Sequence, residues 1–228
     1  MKLFGTPGSP FVRKARLALE EKGIAYEYVL APRETRKELV VPLNPLGKIP
    51  VLLRDDGKSV FDSPVIVEYV DGLKPEPRLI PAAFEDRITV KRWEALGDGV
   101  AEATVLITHD WRKPEDKREP EKWYEAQREK IRRALVMMER ELGDGAFCFG
   151  ATFTLADIAA GYALSYLESG IPDFGWRAAN PRLSRHYDAL VKRPAFRKTD
   201  PDAKRSEEHT SELQSHHDLV CRLLLEKK

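Results

Sequence analysis

The sequence predicts a mixed α/β domain followed by an all-helical domain. Ten of its 16 prolines lie at or before Pro81, and none falls between Glu121 and Ile171. Proline ends helices by removing an amide donor and clashing with the preceding turn, so the first third suits short elements and the rest long helices. Short alternating runs interleave with helical ones up to residue 74, and after residue 85 apolar residues recur at helical spacing almost throughout.

Each element of the first domain has its own signal. Lys2–Phe4 is a short strand. Pro10 to Lys22 is helical, with Phe11, Ala15 and Leu19 four apart and Gly23 at the stop. Ala25–Leu30 alternates as a strand does, and Glu34–Val41 predicts a short irregular helix. Ile49–Leu53 and Ser59–Phe61 form a hairpin around Asp55-Asp56-Gly57-Lys58, and Val65–Leu73 is a closing helix. The order β-α-β-α-β-β-α implies a central sheet. Leu73 to Ala83, with three prolines, reads as an extended linker. This places one domain at 1–74, a linker at 75–84 and a helical domain at 85–200.

Helices are expected over Glu85–Asp110, Pro120–Leu142, Leu155–Glu168 and Pro181–Arg193. In the second, Ile131, Leu135, Met138 and Leu142 mark the core face. Thr154-Leu155-Ala156-Asp157 is a capping box, with Phe153 placed to staple onto Ile158.

Composition excludes several classes. The 38 Lys and Arg residues nearly balance 37 Asp and Glu, which argues against a chain built to neutralise many phosphates. No apolar run approaches the ~18 residues of a membrane span, and the N-terminus lacks a signal-peptide core, so a cytoplasmic protein is expected. Two cysteines, Cys148 and Cys221, cannot build a disulfide framework or structural zinc site, and the expectation is no metal. Residues 205–228 read as translated sequencing-adapter read-through: Arg205 to Ser215 back-translates onto eleven adapter-like codons, and a second match runs from Leu219. Without the tail's four basic and five acidic residues the body carries a net +2, and it keeps only Cys148, His109 and His186 as soft ligands. Cys148, between two phenylalanines, reads as a buried inert thiol.

The chemistry is carried by Ser9-Pro10 and Ser63-Pro64, each reading as an N-cap followed by a first-turn proline after a strand. A helix N-terminus presents free N–H groups and partial positive charge, so two such ends suit a ligand with two separated anionic groups. Ile49-Pro50 opens a strand. A cis bond there would turn the preceding backbone outward to pair with a bound peptide, and a plain strand-edge proline fits the spacing equally well.

The element order in about 75 residues resembles the thioredoxin fold. The run Ser9 to Lys14, Asn44-Pro45-Leu46-Gly47-Lys48-Ile49-Pro50-Val51, Asp62-Ser63 and the Thr154 to Ala159 box together resemble the cytosolic glutathione transferases, in particular the small bacterial members. The resemblance implies a glutathione transferase, a homodimer acting in detoxification with glutathione as co-substrate. It places Ser9 as the hydroxyl donor to the glutathione sulfur, and Asp62 and Ser63 on the γ-glutamyl group. It also places Ile49 on the cysteinyl backbone, and Lys48, with Lys37, on the glycyl carboxylate. Asp62 is shorter than the glutamate of several classes. Candidate lining for a small electrophile is Leu106, His109, Trp111 and Tyr162, each also explained by packing or a solvated helix end. Rival activities are a glutathione-dependent disulfide reductase, peroxidase or isomerase, and a non-catalytic interaction protein. No nucleic-acid or membrane partner is expected.

Overall fold

The computed structural model describes residues 1–201, so the expected adapter-derived segment lies outside the described residues. The chain opens with β1 (Lys2–Gly5), α1 (Pro10–Glu21) and β2 (Glu27–Leu30). A 3-10 turn at Arg33–Thr35 runs into the four-residue α2 (Arg36–Leu39). β3 (Val51–Leu53), β4 (Ser59–Val60) and α3 (Ser63–Leu73) complete a thioredoxin-like unit. The sheet order is β2-β1-β3-β4, with β1 parallel to β2 and the other two pairings antiparallel.

The period of two along the strands sorts the core. Leu3 and Leu52 face α1 and α3 among Leu17, Ile66 and Val70, while Phe4 and Val51 face the other way with Ala31 and Val40. β2, β3 and β4 are shorter than the sequence predicts, while β1 runs one residue further. β3 begins at Val51 because Pro50 has no amide hydrogen to extend the ladder beyond the Phe4–Val51 pair. Ser9 caps α1, accepting from the Val12 N–H at 3.4 Å, and Gly23 with φ 59° ends it as expected. The start of α3 departs from expectation. Asp62 is its N-cap residue and Ser63 already its first helical one, so Ser63 is not a cap.

The linker is extended but packed. Leu79 and Ile80 are buried, and their N–H groups donate to Asp71 at 2.8 and 3.1 Å. Lys22 joins Asp71 to the Pro77 carbonyl, both at 2.7 Å. The proline-rich composition hid an apolar pair that anchors this strap.

The helical part comprises α4 (Phe84–Asp110), α5 (Glu121–Leu142), α6 (Leu155–Gly170), α7 (Trp176–Ala179), α8 (Pro181–Leu190) and α9 (Pro194–Lys198). α4 crosses α6 closely at Gly97, where a Cβ would come within 2.6 Å of the Ala159 carbonyl oxygen. Ile131, Leu135, Met138 and Leu142 are all buried, and the capping box forms, Asp157 accepting from the Thr154 N–H at 2.8 Å. No described helix is long and apolar enough to cross a membrane.

Candidate glutathione site

Three stretches of the first domain lie at one end of the sheet, the end where β1 feeds the start of α1. The Ser9 hydroxyl accepts one bond from Val12, so its own hydrogen remains to donate outward. Beside it opens a small cleft, lined by Ser9, Pro10 and Arg13 from the first domain and by Tyr162, Ser165 and Tyr166 from α6.

The second stretch is the loop before β3. Asn44, buried to 1% exposure, builds it: its side chain donates to the Lys48 carbonyl at 2.9 Å and accepts from the Leu46 N–H at 3.0 Å. Gly47 takes φ 62°, and Ser59 ties the loop through the Leu43 carbonyl at 2.7 Å. The Ile49–Pro50 bond is cis, and Ile49 lies beyond the last β1–β3 pair. Lys48 and Lys37 are exposed. Sequence reasoning missed Asn44, although an Asn-Pro pair followed by Gly is a turn signal of the Asx type.

The third stretch is the start of α3. Ser63 is only 3% exposed, yet its hydroxyl and the N–H groups of Ser63 and Val65 take no hydrogen bond among the described residues. Free N–H groups at a helix start, with a hydroxyl beside them, are donors available to an acceptor. Asp62 is exposed, and its side chain makes no cap bond.

The structure does not bring the four candidate electrophile residues together. Tyr162 lines the Ser9 cleft but is fully buried, its hydroxyl donating to Asp98 and its titration pushed well up by burial and then by Asp98. Leu106 lies in a different groove, between α4 and α5, with Gln127, Lys130 and Ala134. His109 and Trp111 line neither. Partial desolvation, then the cations Arg112, Arg33 and Arg36, hold the His109 imidazole below its usual range. Next to Trp111, Asp110 is pulled down to about 2, first by its bond from Lys113 and then by that from Tyr124.

A charged network behind α1 was also not foreseen. Lys14, wholly buried, donates to Glu94 at 3.0 Å and to both oxygens of Asp98 at 2.8 and 2.9 Å. Arg13 donates to Ser165 and to the Phe196 carbonyl. These bonds tie the helix bearing Ser9 to α4, α6 and α9. Cys148 is 6% exposed, and burial followed by the Asp157 carboxylate pushes its thiol well above the usual range.

Comparison with known proteins bears on this geometry. A family profile described as the N-terminal domain of glutathione S-transferase matches residues 3–78, and one described as the C-terminal domain matches residues 121–189. The chain is 35% identical to the uncharacterized GST-like protein YibF of Escherichia coli K12, over 88% of this chain and 98% of that protein. A glutathione S-transferase from Methylobacillus flagellatus, solved with glutathione bound, superposes with a TM-score of 0.84 at 42% identity, covering 88% of this chain and 98% of that one. Another, from Methylobacterium radiotolerans in complex with glutathione sulfonate, gives 0.82 at 38% identity, covering 88% and 94%.

Proposed function

Because the chain belongs to the glutathione S-transferase family, we propose that it conjugates the glutathione thiolate to small electrophiles, with Ser9 stabilising the thiolate. The observation that carries this reading is the pair of helix starts at one end of the sheet: one offers the Ser9 hydroxyl, the other the Ser63 hydroxyl and two N–H groups without partners among the described residues. A tripeptide with a carboxylate at each end and a thiol between needs two separate sets of donors. Ser63 and the first turn of α3 take the γ-glutamyl carboxylate, with Asp62 beside its ammonium group. The Ile49 main chain pairs with the cysteinyl unit, and Lys48, with Lys37, faces the glycyl carboxylate.

The free thiol has a pKa near ~8.5, and the thiolate is the nucleophile. A hydroxyl bond and the α1 N-terminus both favour the anion. Lowering the pKa by ~1.5 units needs about 2 kcal/mol, within reach of one charge-assisted bond and a helix end. The thiolate adds to the electrophile in the cleft against α6, forming the C–S bond as the leaving group departs. Thiol exchange through an enzyme cysteine is disfavoured: the first 147 residues contain none, and Cys148 is buried in the helical domain. A homodimer, a cytoplasmic setting and a detoxifying role accompany the proposal.

The test is conjugation of a chloro-nitroaromatic by wild type and Ser9→Ala from about pH 5.5 to about 9. Ser9→Ala should move the pH midpoint up toward that of free glutathione while binding glutathione within a few-fold. Superimposable profiles would mean that Ser9 only caps the helix.

A further inference from the structure

Counting soft ligands in the sequence left this chain with little capacity for metal, but the fold gathers three of its donors at one point of the helical domain. Cys148 Sγ lies 3.4 Å from His186 Nε2, which lies 3.1 Å from Asp157 Oδ1. The three donor atoms all fall within 4.8 Å of one another. Cys148 sits in the turn before α6, Asp157 in the first turn of α6 and His186 on α8. We propose that Cys148, Asp157 and His186 form a binding site for a zinc-like divalent transition-metal ion, which pins the turn before α6 to α8.

The spacing is the first reason. Bonds of about 2.0–2.3 Å from a tetrahedral ion to S, N and O place neighbouring ligands roughly 3.3–3.6 Å apart. The S–N and N–O separations are within a few tenths of an ångström of that, and the third edge is no longer than 4.8 Å, so the three donors can close on one ion. The second reason is that thiol and carboxylate converge on the same ring nitrogen. A Cys–His–Asp proton relay would use the two different nitrogens of the ring; a shared Nε2 is the arrangement of a tripod.

The orientation of the carboxylate is the third. Asp157 Oδ1 accepts from the Cys148 N–H at 2.8 Å and Oδ2 from the Thr154 N–H at 2.8 Å. Such bonds fix a ligand's direction before the ion arrives. Charge closes the case: a dication with one thiolate and one carboxylate is a neutral unit, which a dry interior tolerates. Binding breaks the S–H bond and releases its proton as the metal–sulfur bond forms. With three protein donors, the fourth position of a tetrahedral ion is left to a water. Mixed S, N and O donors favour zinc or cobalt over magnesium or calcium.

The experiment uses the full chain with Cys221→Ser, His216→Ala and His217→Ala, which leaves Cys148 as its one thiol. After chelator treatment, cobalt(II) is titrated in and followed by absorption. The expected result is one equivalent bound, with a near-ultraviolet thiolate-to-cobalt band, strong visible bands of a tetrahedral ion, and displacement of both by zinc. Cys148→Ser should lose the ultraviolet band, and His186→Gln should bind at least about tenfold more weakly. The titration of the otherwise intact site decides alone if either variant fails to fold. No thiolate band there, or the same band in a folded Cys148→Ser, overturns the proposal and leaves a hydrogen-bonded knot of thiol, imidazole and carboxylate.

Discussion

α1 and α3 both open on Ser-Pro, but the dipeptide sits one step out of phase between them. Ser9 precedes the first turn of α1 and accepts from Val12, whereas Ser63 is already inside the first turn of α3 with its hydroxyl unpaired. The two helices are also held differently. α3 buries an apolar face, Ile66, Val67 and Val70, against the sheet and α1. α1 sends Arg13 and Lys14 into the helical part, where both must find partners. Apolar packing tolerates small shifts, and buried charge does not. Ser9 is therefore positioned through Arg13 and Lys14, about one turn further along α1, by α4 and α6, while Ser63 is positioned by its own sheet.

The largest effect should come from removing a charge behind α1. Lys14→Ala leaves Asp98 without a cation and Glu94 with Lys91 alone, and should cost about 3–5 kcal/mol in urea unfolding. Lys198→Ala breaks a pair from the same helix, to Glu20, but Lys198 is 68% exposed. It should cost no more than about 0.5–1 kcal/mol. Equal losses would mean that the buried network does not hold α1.

Next in size is the ligand side of α3. Ser63→Ala removes a donor to a carboxylate, worth about 1.5–3 kcal/mol, and should weaken glutathione binding roughly ten- to a hundredfold by calorimetry. Unchanged affinity would remove Ser63 from the site.

The sequence disclosed the parts of this site that depend on local grammar. Ser9 as a cap, Gly23 as a stop and the Thr154–Asp157 box each rest on residues within one turn of one another, and all three formed. What escaped depends on pairings across the chain. Lys14 finds Glu94 and Asp98 eighty or more residues away, and nothing near Lys14 in the chain announces them. Leu79 and Ile80 lay in a proline-rich stretch that composition labels a linker, yet they are buried. Three of the four electrophile candidates, Leu106, His109 and Trp111, lie on α4 or just past its end, but the cleft beside Ser9 is walled by α6, which carries the fourth, Tyr162. Asp62 and Ser63 were misplaced by a single position, the margin within which helix starts are hardest to read.

That one-position offset supplies the smallest and sharpest test of the two helix starts. Ser9 satisfies an otherwise orphaned N–H of α1, so Ser9→Ala should lower stability by ~1 kcal/mol without ligand. Ser63 satisfies none: Asp62 occupies the cap position and its side chain makes no cap bond. Ser63→Ala removes no side-chain cap bond, so its unliganded stability should stay within about 0.5 kcal/mol of wild type. With saturating glutathione the order should reverse. Wild type and Ser9→Ala gain stability by mass action, and Ser63→Ala gains less because its dissociation constant is higher. Paired melts with and without glutathione read both quantities from one sample. If Ser63→Ala loses as much as Ser9→Ala before ligand is added, Ser63 acts as a cap after all, and the two Ser-Pro pairs do the same work.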